Sequence, residues 1–255
     1  MNSKDISLLE MLKSGVHFGH QKSRWHPKMK QYIFTERNSV HIIDLEKTRD
    51  KLMEALDFLR ETASRGGTVV FIGTKKQSQS IILNHAQASG MPYIVNRWIG
   101  GLFTNFPVVK KLLNKLSELK RQQESGGWQK YTKKEQVSLK KHLDKLQGLV
   151  GGLENLTKIP DAIYVVDVKN EKTAVEEARR KKIPIVALVD TNIDPTKITY
   201  PIPANDDATK SIEYITGKIA AAIMEGKDNP VPIEGKEESE KTVPEKEAAT
   251  QKTSS

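Results

Sequence analysis

The residues best suited to chemistry lie in one short segment near the N-terminus, VHFGHQKSRWHPKMK. It interleaves cations, imidazoles and an indole ring without one acidic side chain, and we expect it to form a loop. Cations neutralise phosphates and aromatic rings stack on unpaired bases, so the pattern is typical of RNA binding. We call these residues the basic cluster: His17, His20, Lys22, Arg24, Trp25, His26, Lys28 and Lys30.

Two further motifs place cations at turns. The run FIGTKKQS puts Lys75 and Lys76 where a strand meets the start of a helix, a position that favours anions. It lacks the Walker pattern, and no GxGxxG occurs in the chain, which argues against a nucleotide cofactor. In NRWIGGLFTNF, Arg97 and Trp98 precede a Gly-Gly bend. We predict that all four of these residues bind RNA.

Aspartates near the ends of predicted strands support a different interpretation, because α/β folds place active sites there. They leave a metal- or nucleotide-dependent enzyme acting on phosphate-containing substrates as the alternative. Capping and turn roles suit them better, and no nucleophile and base pair stands out, so we assign no catalytic residue. A structural Mg or Zn ion stays open, with His20, Asp190 and Asp206 as weak candidates. The aspartates concerned are Asp167, Asp190, Asp194, Asp206 and Asp207.

The charge is unevenly divided along the chain. The 255 residues carry a formal charge of +9. Residues 1–158 account for +13 and the remainder for −4. A surface that serves solubility alone would be more mixed, so a basic face for a polyanion is favoured, RNA before DNA or an acidic membrane.

The pattern of apolar residues indicates the fold that must position these groups. Buried runs such as TVVFIG, DAIYVVDV and PIVALVDT alternate with helical stretches, which predicts a three-layer, Rossmann-like α/β domain with a parallel sheet. QYIFTERNSVHII predicts a β-hairpin. We assign residues 1–103 and 159–225 to this domain and 226–255 to a disordered tail.

Residues 104–158 interrupt the alternation with two helical patterns and no strand. Their apolar residues form narrow seams spaced by three and four, which predicts an inserted antiparallel coiled-coil hairpin that projects as an arm. Its lysines have three open roles, namely contact with RNA, contact with protein and exposure to solvent. They are Lys110, Lys111, Lys115, Lys133, Lys134, Lys140 and Lys141.

The cysteine count and the hydropathy of the chain bear on its location. There are no cysteines, which excludes disulfides and thiolate metal sites and suits a reducing compartment. No apolar run is long enough for a membrane span, and the first residues are unlike a signal peptide. We expect a cytoplasmic protein.

The ordered motifs resemble those of the bacterial small-subunit ribosomal protein S2 family (uS2) over nearly all of residues 8–225. The motifs are LEMLKSGVHFGHQKSRWHPKMKQYIF, FIGTKKQ, NRWIGGLFTNF, IPDAIYVVD, IPIVALVDTNIDP and PIPANDDA. The resemblance implies a Rossmann-like domain with a protruding coiled coil and no catalytic activity or cofactor. It also implies binding to 16S ribosomal RNA in the 30S subunit, contact with neighbouring ribosomal proteins and support for docking of the large protein S1. It implies neither a membrane nor a small-molecule substrate.

Overall fold

The N-terminal part of the chain forms a short helix and a three-stranded antiparallel sheet in the order β1-β3-β2. The computed structural model describes residues 6–230. The hairpin of β2 and β3 turns at Asn38 and Ser39, both with positive φ. The basic cluster is not simply a loop, because it contains β1 and two 3-10 turns, Lys22–Arg24 and Pro27–Tyr32. The elements are α1 (Leu8–Lys13), β1 (Phe18–Gln21), β2 (Ile33–Arg37) and β3 (Val40–Ile43).

A five-stranded parallel sheet forms the centre of the molecule, in the order β5-β4-β6-β7-β8, and confirms the predicted α/β class. Side chains alternate along each central strand, so Val70 and Ile72 face one apolar cluster and Val69 and Phe71 the other. The sequence analysis missed β8, an edge strand containing two prolines, which only an edge position tolerates. The strands are β4 (Val69–Ile72), β5 (Tyr93–Ile94), β6 (Ala162–Val165), β7 (Ile185–Val189) and β8 (Tyr200–Pro203).

Helices cover both faces of this sheet. Asp44 begins α2 by accepting the backbone N–H groups of Glu46 and Lys47. Apolar residues of α1, α2, α3 and α7 pack on one face, and those of α4, α5 and α6 belong to the cluster on the other. The helices are α2 (Leu45–Ser64), α3 (Lys76–Ala88), α4 (Phe106–Glu124), α5 (Lys133–Val150), α6 (Lys172–Arg180) and α7 (Thr209–Asp228).

The two helices of the insertion are α4 and α5, and they contact each other. The seam residues Leu113, Leu116 and Leu146 are buried in the same cluster as one face of the sheet. Lys120, in the second half of α4, pairs with Glu154 just beyond α5. The coiled-coil geometry of the pair and the domain boundaries stay predictions. The tail prediction falls mainly on residues 231–255, outside the described residues.

Candidate nucleic-acid interface

The basic cluster is held against the carboxyl end of β7. The backbone N–H of His26 donates to the Thr191 carbonyl (2.7 Å), and that of His20 donates to Thr191 Oγ1 (2.9 Å). Gly19 permits this approach, because a Cβ there would lie 2.6 Å from Thr191 Cγ2. The tertiary fold therefore brings the cluster to the strand ends that also carry the predicted aspartates.

Two cations of the cluster have carboxylate partners. Lys22 Nζ lies 2.9 Å from Glu36, and Lys28 Nζ donates to Asp194 (2.9 Å) and to Thr196 Oγ1 (3.0 Å). Hydrogen bonds from Thr196 and Lys28 hold the pKa of Asp194 well below its usual range. Both pairs are exposed on at least one side, and such pairs exchange partners at little free-energy cost.

The aromatic members of the cluster already have partners within the fold. The Trp25 ring packs on His41 with centroids 5.2 Å apart, and His17 packs on Phe18 at 4.1 Å. Burial lowers the pKa of His17. His26 accepts the N–H of Lys28 through Nδ1 and so begins the second 3-10 turn. These rings have structural roles, and Trp25 and His26 keep part of their surface accessible.

Lys75 lies among carboxylates instead of facing outward. Its Nζ is 3.2 Å from Asp167, 3.5 Å from Asp206, and in contact with Asp207. Burial opposes its charged form, but the hydrogen bond that Lys75 donates to Asp207 and the nearby negative charges outweigh this effect and raise the pKa of Lys75. Burial, together with the charges of Asp190 and Asp167, raises the pKa of Asp206 to about 7.

His20 joins the same group of residues. Its Nδ1 lies 3.0 Å from Asp190, and the hydrogen bond to Asp190 raises the pKa of His20 despite partial burial. The weak metal candidates are thus close together, but within residues 6–230 no set of three or more His, Asp or Glu side chains is arranged to hold a metal ion. We call this group of residues the aspartate cluster; it consists of Lys75, His20, Asp167, Asp190, Asp206 and Asp207.

The turn that resembles a phosphate loop already holds a carboxylate of the chain itself. Glu171, which is buried, accepts the Thr74 backbone N–H (3.1 Å) and the Thr74 hydroxyl. Burial raises the pKa of Glu171 against these hydrogen bonds. Lys76, the first residue of α3, is exposed. The accessible cation of this motif is therefore Lys76, and Lys75 is engaged.

The motif NRWIGGLFTNF is organised by an acidic residue that sequence reasoning did not identify. Glu177 accepts the Trp98 indole N–H (3.1 Å), and it accepts the backbone N–H groups of Gly101 (2.7 Å), Phe103 (3.1 Å) and Thr104 (3.2 Å). Burial opposes ionisation, but these donors together lower the pKa of Glu177. Trp98 is thereby fixed in place, whereas Arg97 is exposed.

The remaining predicted cations are exposed and have no ion-pair partner among residues 6–230. In the cluster and the turns they are Arg24, Lys30, Lys76 and Arg97. On α4 and α5 they are Lys110, Lys111, Lys115, Lys133, Lys134, Lys140 and Lys141. Uncompensated positive charge is what a phosphate-rich partner requires.

Phe34 is a second residue that the sequence analysis missed. The register of β2 and β3 shifts between Ile33 and Thr35, so Phe34 is an extra residue at a bulge. Ile33 packs against the core, while Phe34 is 74% exposed. The available signal in the sequence was the alternation of side chains along the hairpin, because it places the adjacent residues Ile33 and Phe34 on opposite faces.

Comparison with known families identifies a family that covers most of the chain. A family model described as ribosomal protein S2 matches residues 11–226 of the 255. That family consists of structural proteins of the small ribosomal subunit and is not a known enzyme family. The enzyme alternative has no support from this match. No helix within residues 6–230 is both long and apolar enough to cross a membrane.

Proposed function

Because the chain belongs to the ribosomal protein S2 family, we propose that it binds 16S ribosomal RNA through its basic N-terminal portion as a fixed component of the 30S subunit. The observation that carries the proposal is the set of exposed cations that have no carboxylate partner within residues 6–230, led by Arg24, Lys30, Lys76 and Arg97. RNA phosphates would supply the missing negative charge. The protein would then act in the cytoplasm, within the ribosome.

The other predicted cations divide into two groups in this proposal. Lys22 and Lys28 pair with carboxylates at the surface, so they can transfer to phosphate when RNA approaches. Lys75 stays with the aspartate cluster, because moving its charge away would leave buried carboxylates uncompensated. The proposal therefore does not rest on Lys75.

We further propose that the chain contacts neighbouring small-subunit proteins and supports docking of the large protein S1, as its family membership implies. The lysines of α4 and α5 are available to RNA and to acidic protein surfaces alike. Their exposure supports either use, and the experiment below separates the two.

The test compares RNA binding by variants with the same loss of charge. Arg24→Gln, Lys30→Gln and Arg97→Gln form the cluster variant. Arg49→Gln, Arg65→Gln and Lys210→Gln form the control, which removes three cations from α2, its C-terminal end and α7. Affinity for 16S ribosomal RNA is measured over a range of KCl concentrations. The cluster variant should bind more weakly, with a slope of log K against log salt lower by about 2, since each lost phosphate contact removes about 0.7–0.9.

Equal slopes for the cluster variant and the control would contradict the proposal, as would recovery of the protein only in the ribosome-free fraction of a lysate at low salt. A further variant, Lys110→Gln with Lys111→Gln and Lys115→Gln, tests α4 in the same way. An unchanged RNA slope combined with weaker incorporation into 30S particles would assign these lysines to protein contacts.

A further inference from the structure

A cavity lined by cations lies at the amino end of β7, in the part of the chain whose net charge is negative. Its volume is about 350 Å³, and α6, the turn after it, and the segment 196–199 form its walls. The charged residues of the lining are Arg179, Lys182 and Lys197, and no acidic residue belongs to it. Local charge is thus opposite in sign to the average over residues 159–225.

The three cations of this cavity are uncompensated. Each is exposed, and none has an ion-pair partner among residues 6–230. The nearby acidic residues are engaged elsewhere, since Glu176 pairs with Lys172 and Asp194 pairs with Lys28. Two cations in the last turn of a helix would suffice to complement its dipole, and α6 already has Arg179 and Arg180 there. Lys182 and Lys197 exceed that requirement.

Hydroxyl groups complete the lining and connect the cavity to the basic cluster. Thr196 and Thr199 contribute to its wall. Thr196 Oγ1 accepts a hydrogen bond from Lys28 Nζ at 3.0 Å, and the 3-10 turns Pro27–Tyr32 and Pro195–Lys197 contact each other. Thr196 therefore contacts a member of the basic cluster and also belongs to the wall of the cavity.

We propose that this cavity, which we call the α6 pocket, binds a phosphate group of the RNA backbone through Arg179, Lys182 and Lys197. Arg179 presents a planar fork that suits two phosphate oxygens, while Lys182 in the turn after α6 and Lys197 in the segment 196–199 supply further positive charge. The inference rests on the proposed function, because it extends the RNA surface from the N-terminal portion over the segment 195–199 to the end of α6. It adds an anion-binding site within residues 159–225, whose net charge is negative.

The test uses the full chain and 16S ribosomal RNA. The pocket variant combines Arg179→Gln, Lys182→Asn and Lys197→Gln. Asn is used at position 182 because the backbone of Lys182 has a φ of 57°, a conformation that Asn tolerates. The control is again Arg49→Gln, Arg65→Gln and Lys210→Gln. The pocket variant should show a slope of log K against log salt lower than that of the control by about 0.7–0.9, because one phosphate contact is lost. Unfolding in urea should be unchanged, which separates lost contacts from lost structure.

The outcomes distinguish this inference from the proposed function. If the unmodified chain fails to bind RNA, both are overturned. If it binds RNA, and the pocket variant matches the control in affinity and slope, only the α6 pocket is overturned. Titration calorimetry with inorganic phosphate provides the remaining arm. Tight binding of free phosphate to the unmodified chain, with RNA binding unaffected in the pocket variant, would identify a site for a free anion and would also overturn the inference.

Discussion

At the scale of single residues, identical side-chain types serve different purposes in this protein. Lys75 and Arg97 both follow strands in basic motifs, but Lys75 is surrounded by carboxylates and Arg97 is exposed. Trp25 and Trp98 are half-buried and each contacts a partner within the fold, while Phe34 extends into solvent. Availability to a partner is decided by what else lies within a few ångströms, and not by residue type.

We expect Phe34 to stack on an unpaired base of the RNA. Base–aromatic stacking contributes about 1–3 kcal/mol per base, so Phe34→Leu should weaken RNA binding about tenfold, whereas Phe34→Tyr should bind as the unmodified chain does. Fluorescence anisotropy with 16S ribosomal RNA fragments provides the measurement. If the Leu variant binds normally, an apolar contact without stacking, or no contact at all, accounts for this position.

At the scale of elements, one carboxylate of α6 holds the segment that leads into α4. Glu177 accepts three backbone N–H groups between residues 101 and 104, directly before α4 begins, in addition to the Trp98 indole N–H. A buried carboxylate with this many donors holds a bend that a Gly-Gly sequence alone would leave free. Glu177 therefore connects α6 to the segment that leads into α4.

Glu177→Gln should destabilise the protein by about 2–4 kcal/mol, because the amide keeps one acceptor oxygen and turns an N–H₂ group toward N–H donors. Urea unfolding gives the free energy, and hydrogen exchange at residues 101, 103 and 104 locates the loss. The matched control is Glu176→Gln, an exposed neighbour whose contact with Lys172 is 3.9 Å long, where the expected change is small. Similar losses in the two variants would contradict the assignment.

The Glu177 carboxylate also predicts that the stability of the protein depends on pH. The folded pKa of Glu177 is lowered, so its stabilising contribution is fully present above the ordinary glutamate pKa of about 4.3 and is lost as pH falls through the lower folded value. Glu177→Gln should remove this part of the acid dependence.

At the scale of the whole molecule, the aspartate cluster joins parts of the chain that are distant in sequence. Asp167, Asp190 and Asp206 come from the ends of three strands, His20 from the N-terminal sheet and Lys75 from the start of α3. One lysine and one imidazole among four aspartates leave negative charge in excess, and burial increases its cost. Through the contact of His20 with Asp190, the aspartate cluster also joins the N-terminal sheet to the strand ends.

Asp206→Asn should stabilise the protein at pH 8 by about 1–3 kcal/mol. The unfolded pKa of Asp is about 3.9, and the folded pKa of Asp206 is about 7. Between these values the folded chain binds the extra proton, so the contribution of Asp206 to stability falls as pH rises and is level above the folded pKa. The substitution removes this fall.

Urea unfolding from pH 5 to pH 8 measures the effect on Asp206, and the exposed Asp207 provides the control through Asp207→Asn. That control loses a contact with Lys75 and should not gain stability. An Asp206→Asn variant as sensitive to pH as the unmodified chain would show that another group dominates.

The amino-acid sequence was enough to predict the α/β fold class, the two helical stretches between residues 104 and 158 and the basic character of the N-terminal portion. Apolar periodicity and net charge are local properties, so they can be read without knowing which residues meet. Which cations are available to a partner could be seen only in the folded chain. Lys28 and Asp194 are separated by 166 positions, and Lys75 and Asp207 by 132. Pairings across such distances, like the donors around Glu177 and the cations of the α6 pocket, follow from strand order and packing, which no local pattern encodes.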